Sequence, residues 1–303
     1  MLRWRLLLGT IFIAAIVGLC WLDFHAGRPG VYLFPLALVL GMASAGEVLW
    51  LLAGRDLKPY PGAVYVGNLL VLASNAVPLF WSPIGSPTAD QPLERLAWPA
   101  LALAIATIWA FLGEMRRYEK PGGVIVNLSL AVMSFVYVGL FFSFIVQLRL
   151  LGGPRLGIVA LAALIAVVKL GDIGAYTVGR LIGRHKLAPV LSPGKTIEGA
   201  CGAIAFSCLA SWMIFKQLMP AVVPHEAATA ATSAPWWGWI AFGVIVSIAG
   251  MVGDLAESLF KRDMGRKDSS PWLPGFGGVL DIVDSLLLAA PVAYLCWIVG
   301  LVG

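Results

Sequence analysis

LGIVALAALIAVVKLGDIGAYTVG, residues 156–179, holds 22 uncharged residues and one Lys–Asp pair, Lys169 and Asp172. An α-helix needs about 20 apolar residues to cross the hydrocarbon of a bilayer. In that medium each backbone N–H and C=O must be bonded within the segment, which selects helix over isolated strand. The run is one of nine, the others at about 6–22, 31–53, 62–81, 97–113, 124–146, 199–219, 237–253 and 279–301. Composition agrees: 60 % of residues are hydrophobic and 12 % charged, where a soluble domain carries about 25 % charged. The chain is expected to be an all-α polytopic membrane protein with about nine transmembrane helices. The net charge of +5 does not point to nucleic acid, because the basic residues lie between apolar spans.

Those basic residues orient the chain. With the N-terminus in the cytoplasm, fifteen Lys and Arg fall in inside segments, four fall outside, and Lys169 and Lys216 lie within spans. This is the asymmetry of the positive-inside rule, and it leaves the C-terminus outside. Two regions follow: N-terminal transmembrane helices over 1–150, and a C-terminal half over 151–303 with polar cytoplasmic loops 180–198 and 254–278. Arg3 and Arg5 precede a long apolar run with no small-x-small cleavage site after it, which reads as an uncleaved first span. Cys20, Cys201, Cys208 and Cys296 sit in apolar runs with no CxxC pair, so neither a disulfide framework nor a zinc site is expected. The Pro-rich loop 82–96 and the low-complexity loop 221–235, with His225, read as outside connectors. Glu47, inside the second span, is a functional candidate as an intramembrane carboxylate. Near the inner end of a span it can equally snorkel or pair with a neighbouring loop, and that structural reading is preferred.

Charge concentrates in Gly253–Ser285, GDLAESLFKRDMGRKDSSPWLPGFGGVLDIVDS, which holds ten of the chain's 37 Asp, Glu, Lys and Arg residues. Acidic residues stand at both ends, Lys261, Arg262, Arg266 and Lys267 between them, and glycines before Asp281 and Asp284. Carboxylates hold hard cations, Lys and Arg hold phosphates, and glycines let backbone N–H groups approach an anion. Asp281 and Asp284, three apart at a helix start, face one side and could converge with Asp254 on one divalent ion. A second polar block, GRLIGRHKLAPVLSPGKTIEG, follows the Lys169–Asp172 pair. It is not a Walker A loop: the first glycine of GxxxxGK[ST] falls on Pro189, and no strand precedes it. His185 reads as a solvated or packing residue rather than a base. A metal-dependent phosphate site at a membrane surface is expected. A phosphate nucleophile is already anionic, so such a site needs charge neutralisation and alignment more than a general base.

At these residues the sequence resembles the phosphatidate cytidylyltransferase (CDP-diacylglycerol synthase) family, whose C-terminal pattern is S-x-x-K-R-x4-K-D-x-x-x-x-x-P-G-H-G-G-x-x-D-R-x-D. It stands here as Ser258, Lys261, Arg262, Lys267, Asp268, Pro274, Gly275, Phe276, Gly277, Gly278, Asp281, Ile282 and Asp284, with Phe276 and Ile282 replacing the usual His and Arg. Gly253-Asp254 and Glu257-Ser258 also match. So do Asp172-x-Gly174-Ala175-Tyr176, Gly179-Arg180 and Ser192-Pro193-x-Lys195-Thr196-x-Glu198-Gly199. The resemblance implies that CTP and phosphatidic acid give CDP-diacylglycerol and pyrophosphate. It implies Mg²⁺ held by Asp254, Asp281 and Asp284, with a monovalent cation as a further candidate. Lys195, Lys261, Arg262 and Lys267 would hold phosphates, Ser192, Thr196 and Ser258 would add hydrogen bonds, and Gly277 and Gly278 would approach substrate. Asp172 and Glu198 would orient cations or basic partners. It further implies a homodimer in a bacterial inner membrane with a cytoplasmic-facing cavity.

Two rivals differ in mechanism. A CTP-dependent polyprenol kinase would transfer the γ-phosphoryl group and release CDP rather than pyrophosphate. A transporter would be expected to show inverted repeats and broken midplane helices, and no repeat is visible. The Asp-rich DGxxAR pattern of CDP-alcohol phosphotransferases is also missing from the sequence.

Overall fold

The computed structural model describes residues 2–80, 92–223, 234–272 and 277–302. Its helices are α1 (Leu2–His25), α2 (Leu33–Ala53), α3 (Pro61–Ala73), α4 (Val77–Phe80), α5 (Pro92–Arg117), α6 (Val124–Ser134), α7 (Phe141–Leu150), α8 (Gly153–Ile182), α9 (Ile197–Met213), α10 (Met219–Val222), α11 (Gly238–Asp263) and α12 (Leu280–Ile298). Stretches of π-helix, Phe135–Leu140 and Ile214–Leu218, join α6 to α7 and α9 to α10. The described sheet structure is a short antiparallel hairpin, β1 (Lys186–Ala188) with β2 (Ser192–Thr196), pairing Lys186 with Thr196 and Ala188 with Ser192. The protein is thus an all-α polytopic membrane protein. Among the described residues, seven helices are long and apolar enough to cross a membrane. The other two expected spans fall on shorter pieces. Residues 6–22 lie in α1, whose apolar stretch is Gly9–His25, and 62–81 fall on α3, which passes through a 3-10 turn at Ser74–Ala76 into α4.

The expected loop 254–278 is helical at its start, because α11 runs on to Asp263. Glu257 and Lys261, one turn apart, pair along it, and Lys261 with Arg262 ends it where cations suit the helix dipole. Charge therefore marked the end of hydrocarbon, not the end of helix. The expected loop 180–198 likewise opens with the last turn of α8 and is mostly hairpin. Most of loops 82–96 and 221–235, and Phe276, lie outside the described residues.

The chain forms two compact units, one of Met1–Gln147 with Asp263–Val283, the other of Leu148–Arg262 with Asp284–Gly303. In the first, Ala45, Val64, Leu72, Ala106 and Phe135 are fully buried. Buried amides pair between helices: Asn68 Nδ2 donates to Ser134 Oγ (3.0 Å), Asn75 Nδ2 to Ser143 Oγ (2.8 Å) and Gln147 Nε2 to Asn75 Oδ1 (2.8 Å). An unpaired amide in hydrocarbon would be costly, so these bonds fix how the helices meet.

In the second unit α8 and α9 approach through glycines. A Cβ on Gly174 would lie 2.5 Å from the Gly202 carbonyl oxygen, and one on Gly202 would lie 2.6 Å from Val178 Cβ. Small residues let membrane helices come this close. Gly174→Val is expected to force them apart at a cost of about 1–3 kcal/mol. Thermal unfolding in detergent should show the midpoint falling by about 5 °C. Gly194→Ala, in open space on the hairpin, should leave it unchanged.

Candidate active site

The second unit contains a cavity of about 620 Å³ between α8, the hairpin, α9 and α11. Its inner wall is made by small residues such as Gly171, Ala203 and Gly250; its charged wall carries Asp172, Arg180, Lys195 and Asp254. Local chemistry places Lys195. Thr196 caps α9, its Oγ1 accepting the Gly199 N–H at 3.1 Å. Glu198, in the first turn, accepts the backbone N–H groups of Arg184 (3.0 Å) and His185 (3.2 Å) and lies 2.6 Å from His185 Nδ1. The Ile197 N–H donates to the His185 carbonyl at 2.9 Å. The base of the hairpin is thereby closed from both sides, and Lys195, one residue before the cap, is held against the cavity.

There Lys195 Nζ meets Asp254 Oδ2 at 2.7 Å, and Lys169 Nζ meets Asp172 Oδ2 at 3.4 Å. Asp172 feels the charges of Lys169, Asp254 and Lys195, and Asp284 feels those of Asp254 and Lys169. The carboxylate of Asp284 also accepts the Ser285 N–H at 2.5 Å and its hydroxyl at 3.0 Å. Asp172, Lys195, Asp254 and Asp284 thus form one electrostatic group. Tyr176 and Arg180 join the cavity wall as a pair, Arg180 Nη1 donating to the Tyr176 hydroxyl at 2.5 Å. The sequence reading took these two only as part of a motif; their four-residue spacing on a helix was the available signal.

The remaining predicted residues of this unit stand apart from the cavity lining. Glu257, fully buried, pairs with Lys261. Arg262 Nε donates to the Leu191 carbonyl at 3.4 Å. Ser258 is half-buried on α11 and Ser192 half-buried on β2. Glu198 pairs with His185, and the pair closes the hairpin.

The first unit holds Lys267, Gly277, Gly278 and Asp281. Asp281 Oδ2 accepts the Ser269 N–H (2.9 Å), the Ser269 hydroxyl (2.7 Å) and the Gly278 N–H (2.7 Å). Gly277 has φ +87° with the Asp281 carboxylate against it, a position only glycine fills without strain. Lys267 is exposed, and Arg266 stacks on Trp50, its guanidinium carbon 3.4 Å from the ring centroid. Glu47, read from sequence as structural, is buried; it accepts the Ser270 hydroxyl and the Val279 and Leu280 N–H groups and shares the Ser269 hydroxyl with Asp281.

Among the described residues no group of three or more His, Cys, Asp and Glu side chains is gathered as a metal site. Mg²⁺ commonly takes one or two carboxylates and completes its shell with water and phosphate. Asp254 and Asp284, near enough for their charges to interact, are the two carboxylates that could supply that smaller number. The charged residues that line the cavity balance, Arg180 and Lys195 against Asp172 and Asp254.

A polytopic helical membrane protein with a cavity walled by paired cations and carboxylates is the class these features define. The chain belongs to the cytidylyltransferase family, whose model matches residues 4–299. It is 40 % identical over 163 residues to the phosphatidate cytidylyltransferase of Staphylococcus saprophyticus, covering 54 % of this chain and 56 % of that protein. It is 40 % identical over 141 residues to the phosphatidate cytidylyltransferase of Chlamydia muridarum, covering 46 % and 44 %. Its identity to the enzyme of that name from Staphylococcus aureus is 41 % over 165 residues, covering 54 % and 56 %. The matches span about half the length of these curated relatives.

Proposed function

We propose that the chain transfers the cytidylyl group of CTP to phosphatidic acid, giving CDP-diacylglycerol and pyrophosphate. The observation that carries this is the Lys195–Asp254 pair on the wall of a cavity enclosed by apolar spans, in a chain of the cytidylyltransferase family. An oxygen of the lipid phosphate attacks the α-phosphorus of CTP; the bond from that phosphorus to the β-bridging oxygen breaks, and pyrophosphate leaves with the electron pair. No proton need move, which suits a site whose described His185 is committed to Glu198.

Lys195 holds the triphosphate as a point charge, oriented by Asp254, and Arg180 offers a second cation braced by Tyr176. Lys261, Arg262 and Lys267, carried over by motif, supply further phosphate contacts, and Ser192, Thr196 and Ser258 further hydrogen bonds. Asp172 orients Lys169. Asp254 and Asp284 suit Mg²⁺, and Asp281 joins them by motif, with a monovalent cation as a further candidate. Bound there, the metal would offset charge building on the phosphates. The protein is read as a homodimer in a bacterial cytoplasmic membrane, its cavity facing the cytoplasm. Loop charge supports that orientation.

Purified protein in detergent, given CTP, Mg²⁺ and phosphatidic acid, is expected to form CDP-lipid and pyrophosphate in equal amounts. With a polyprenol supplied in place of phosphatidic acid, release of CDP with a phosphorylated lipid would instead establish a kinase. Absence of product with retained CTP binding would point to a different lipid acceptor.

A further inference from the structure

We propose that Glu47 is a positioning residue for Asp281: its carboxylate sets the conformation of residues 269–272 and 277–281, from which Asp281 acts. The role of Asp281 rests on the proposed reaction; the clamp itself does not.

Glu47 lies on α2 and is 1 % exposed. Its Oε2 accepts the Leu280 N–H (2.7 Å) and lies 2.9 Å from the Ser269 oxygen, whose single hydrogen it shares with Asp281. Its Oε1 accepts the Ser270 hydroxyl (2.8 Å) and the Val279 N–H (2.8 Å). Val279 immediately precedes α12 and Leu280 opens it, where the first N–H groups of a helix have no partner of their own. The residues just before them are Gly277 and Gly278, which carry no capping side chain. Glu47 supplies that cap from another helix, more than 200 residues away in sequence. A carboxylate at a helix N-terminus is also favoured by the helix dipole.

The clamp continues to Asp281. Ser269 Oγ lies between the two acids, 2.9 Å from Glu47 Oε2 and 2.7 Å from Asp281 Oδ2. Gly278 donates its N–H to Asp281 at 2.7 Å, and a Cβ on it would overlap both Glu47 and Ser269. Glu47, Ser269, Gly278 and Asp281 are one hydrogen-bonded unit. A snorkelling or merely tolerated glutamate would reach water; this one is buried with both oxygens engaged.

The geometry makes the isosteric change informative. Each oxygen of Glu47 faces one backbone N–H, and backbone donors cannot turn away. Either placement of a glutamine amide therefore sets N–H against N–H. In the full-length protein in detergent, Glu47→Gln is expected to speed amide exchange across Gly278–Asp281, read by mass spectrometry, at least about 10-fold. In the CDP-lipid assay kcat should fall about 100-fold, and the Mg²⁺ concentration for half-maximal rate should rise. Glu47→Asp keeps two oxygens on a shorter arm and should recover part of the protection and of kcat. Wild-type exchange at Gly278–Asp281 in Glu47→Gln would overturn the proposal. So would a kcat loss no larger than the loss of folded protein, with the Mg²⁺ requirement unchanged. If the wild-type protein makes no CDP-lipid, the proposed reaction fails, and the exchange comparison still decides whether Glu47 holds this segment.

Discussion

Lys195→Ala is expected to lower kcat/KM for CTP-dependent CDP-lipid formation by about 10³, the order seen when one preorganised charge-stabilising group is removed. The ammonium sits 2.7 Å from Asp254, and both line the cavity. Removing it takes away a cation aimed at the triphosphate. It also leaves Asp254 facing the charges of Asp172 and Asp284 with one counter-charge fewer. Negative potential then repels the incoming nucleotide, so KM for CTP should rise while kcat falls. Lys195→Arg should recover only part of the rate, because a planar guanidinium fork does not replace a compact ammonium. The lysine comes from the hairpin, whose closure by Thr196 and Glu198 does not involve its side chain. The thermal midpoint should therefore move little. Steady-state kinetics with CTP as the varied substrate checks this. Retention of more than about a tenth of wild-type kcat/KM, a loss under 1.4 kcal/mol, would remove Lys195 from the phosphate site.

Asp281→Asn is expected to abolish turnover, by at least about 10³, while the protein still folds. The bonds from the Ser269 N–H, the Ser269 hydroxyl and the Gly278 N–H all end on Oδ2. An asparagine oxygen in that place can accept all three. The substitution thus strips the charge and keeps the segment. The contrast with Glu47 is geometric: there both oxygens face fixed backbone donors, and an amide cannot satisfy them. Asp281→Asn should accordingly show wild-type exchange across Gly278–Asp281 with no activity, and Glu47→Gln accelerated exchange with reduced activity. Unchanged turnover in correctly folded Asp281→Asn would sink the metal-ligand role given to Asp281.

Much of the architecture was legible because the bilayer is an unforgiving solvent. Seven of the nine apolar runs fall on helices long enough to cross it. The shortfall at 62–81 has a local cause, the 3-10 turn at Ser74–Ala76 between α3 and α4. Hydropathy averages over such a break without registering it. The expected loop 254–278 failed at its start for a related reason. Charge reports departure from hydrocarbon, whereas helix persists as long as spacing and capping allow, here through the Glu257–Lys261 pair to Asp263.

The polar residues divide in the same way. Lys169 with Asp172, and Thr196 with Glu198, could be paired or capped on paper, since their partners lie within a turn or a hairpin. Lys195 with Asp254 could not, because they stand 59 positions apart with the runs 199–219 and 237–253 between them. Nor could the link from Glu47 to Ser269, Ser270 and the start of α12, more than 200 residues on.

By itself the sequence determined a helical membrane chain, its two polar blocks and the motif residues within them. These follow from transfer free energy and local spacing, which are properties of single segments. Tertiary structure decided which distant groups meet: Lys195 on Asp254, and a buried glutamate of α2 as the cap of α12. The reason is physical. In a low-dielectric interior a buried charge or open N–H is costly unless met, and its partner is chosen by which helices come together, not by distance along the chain.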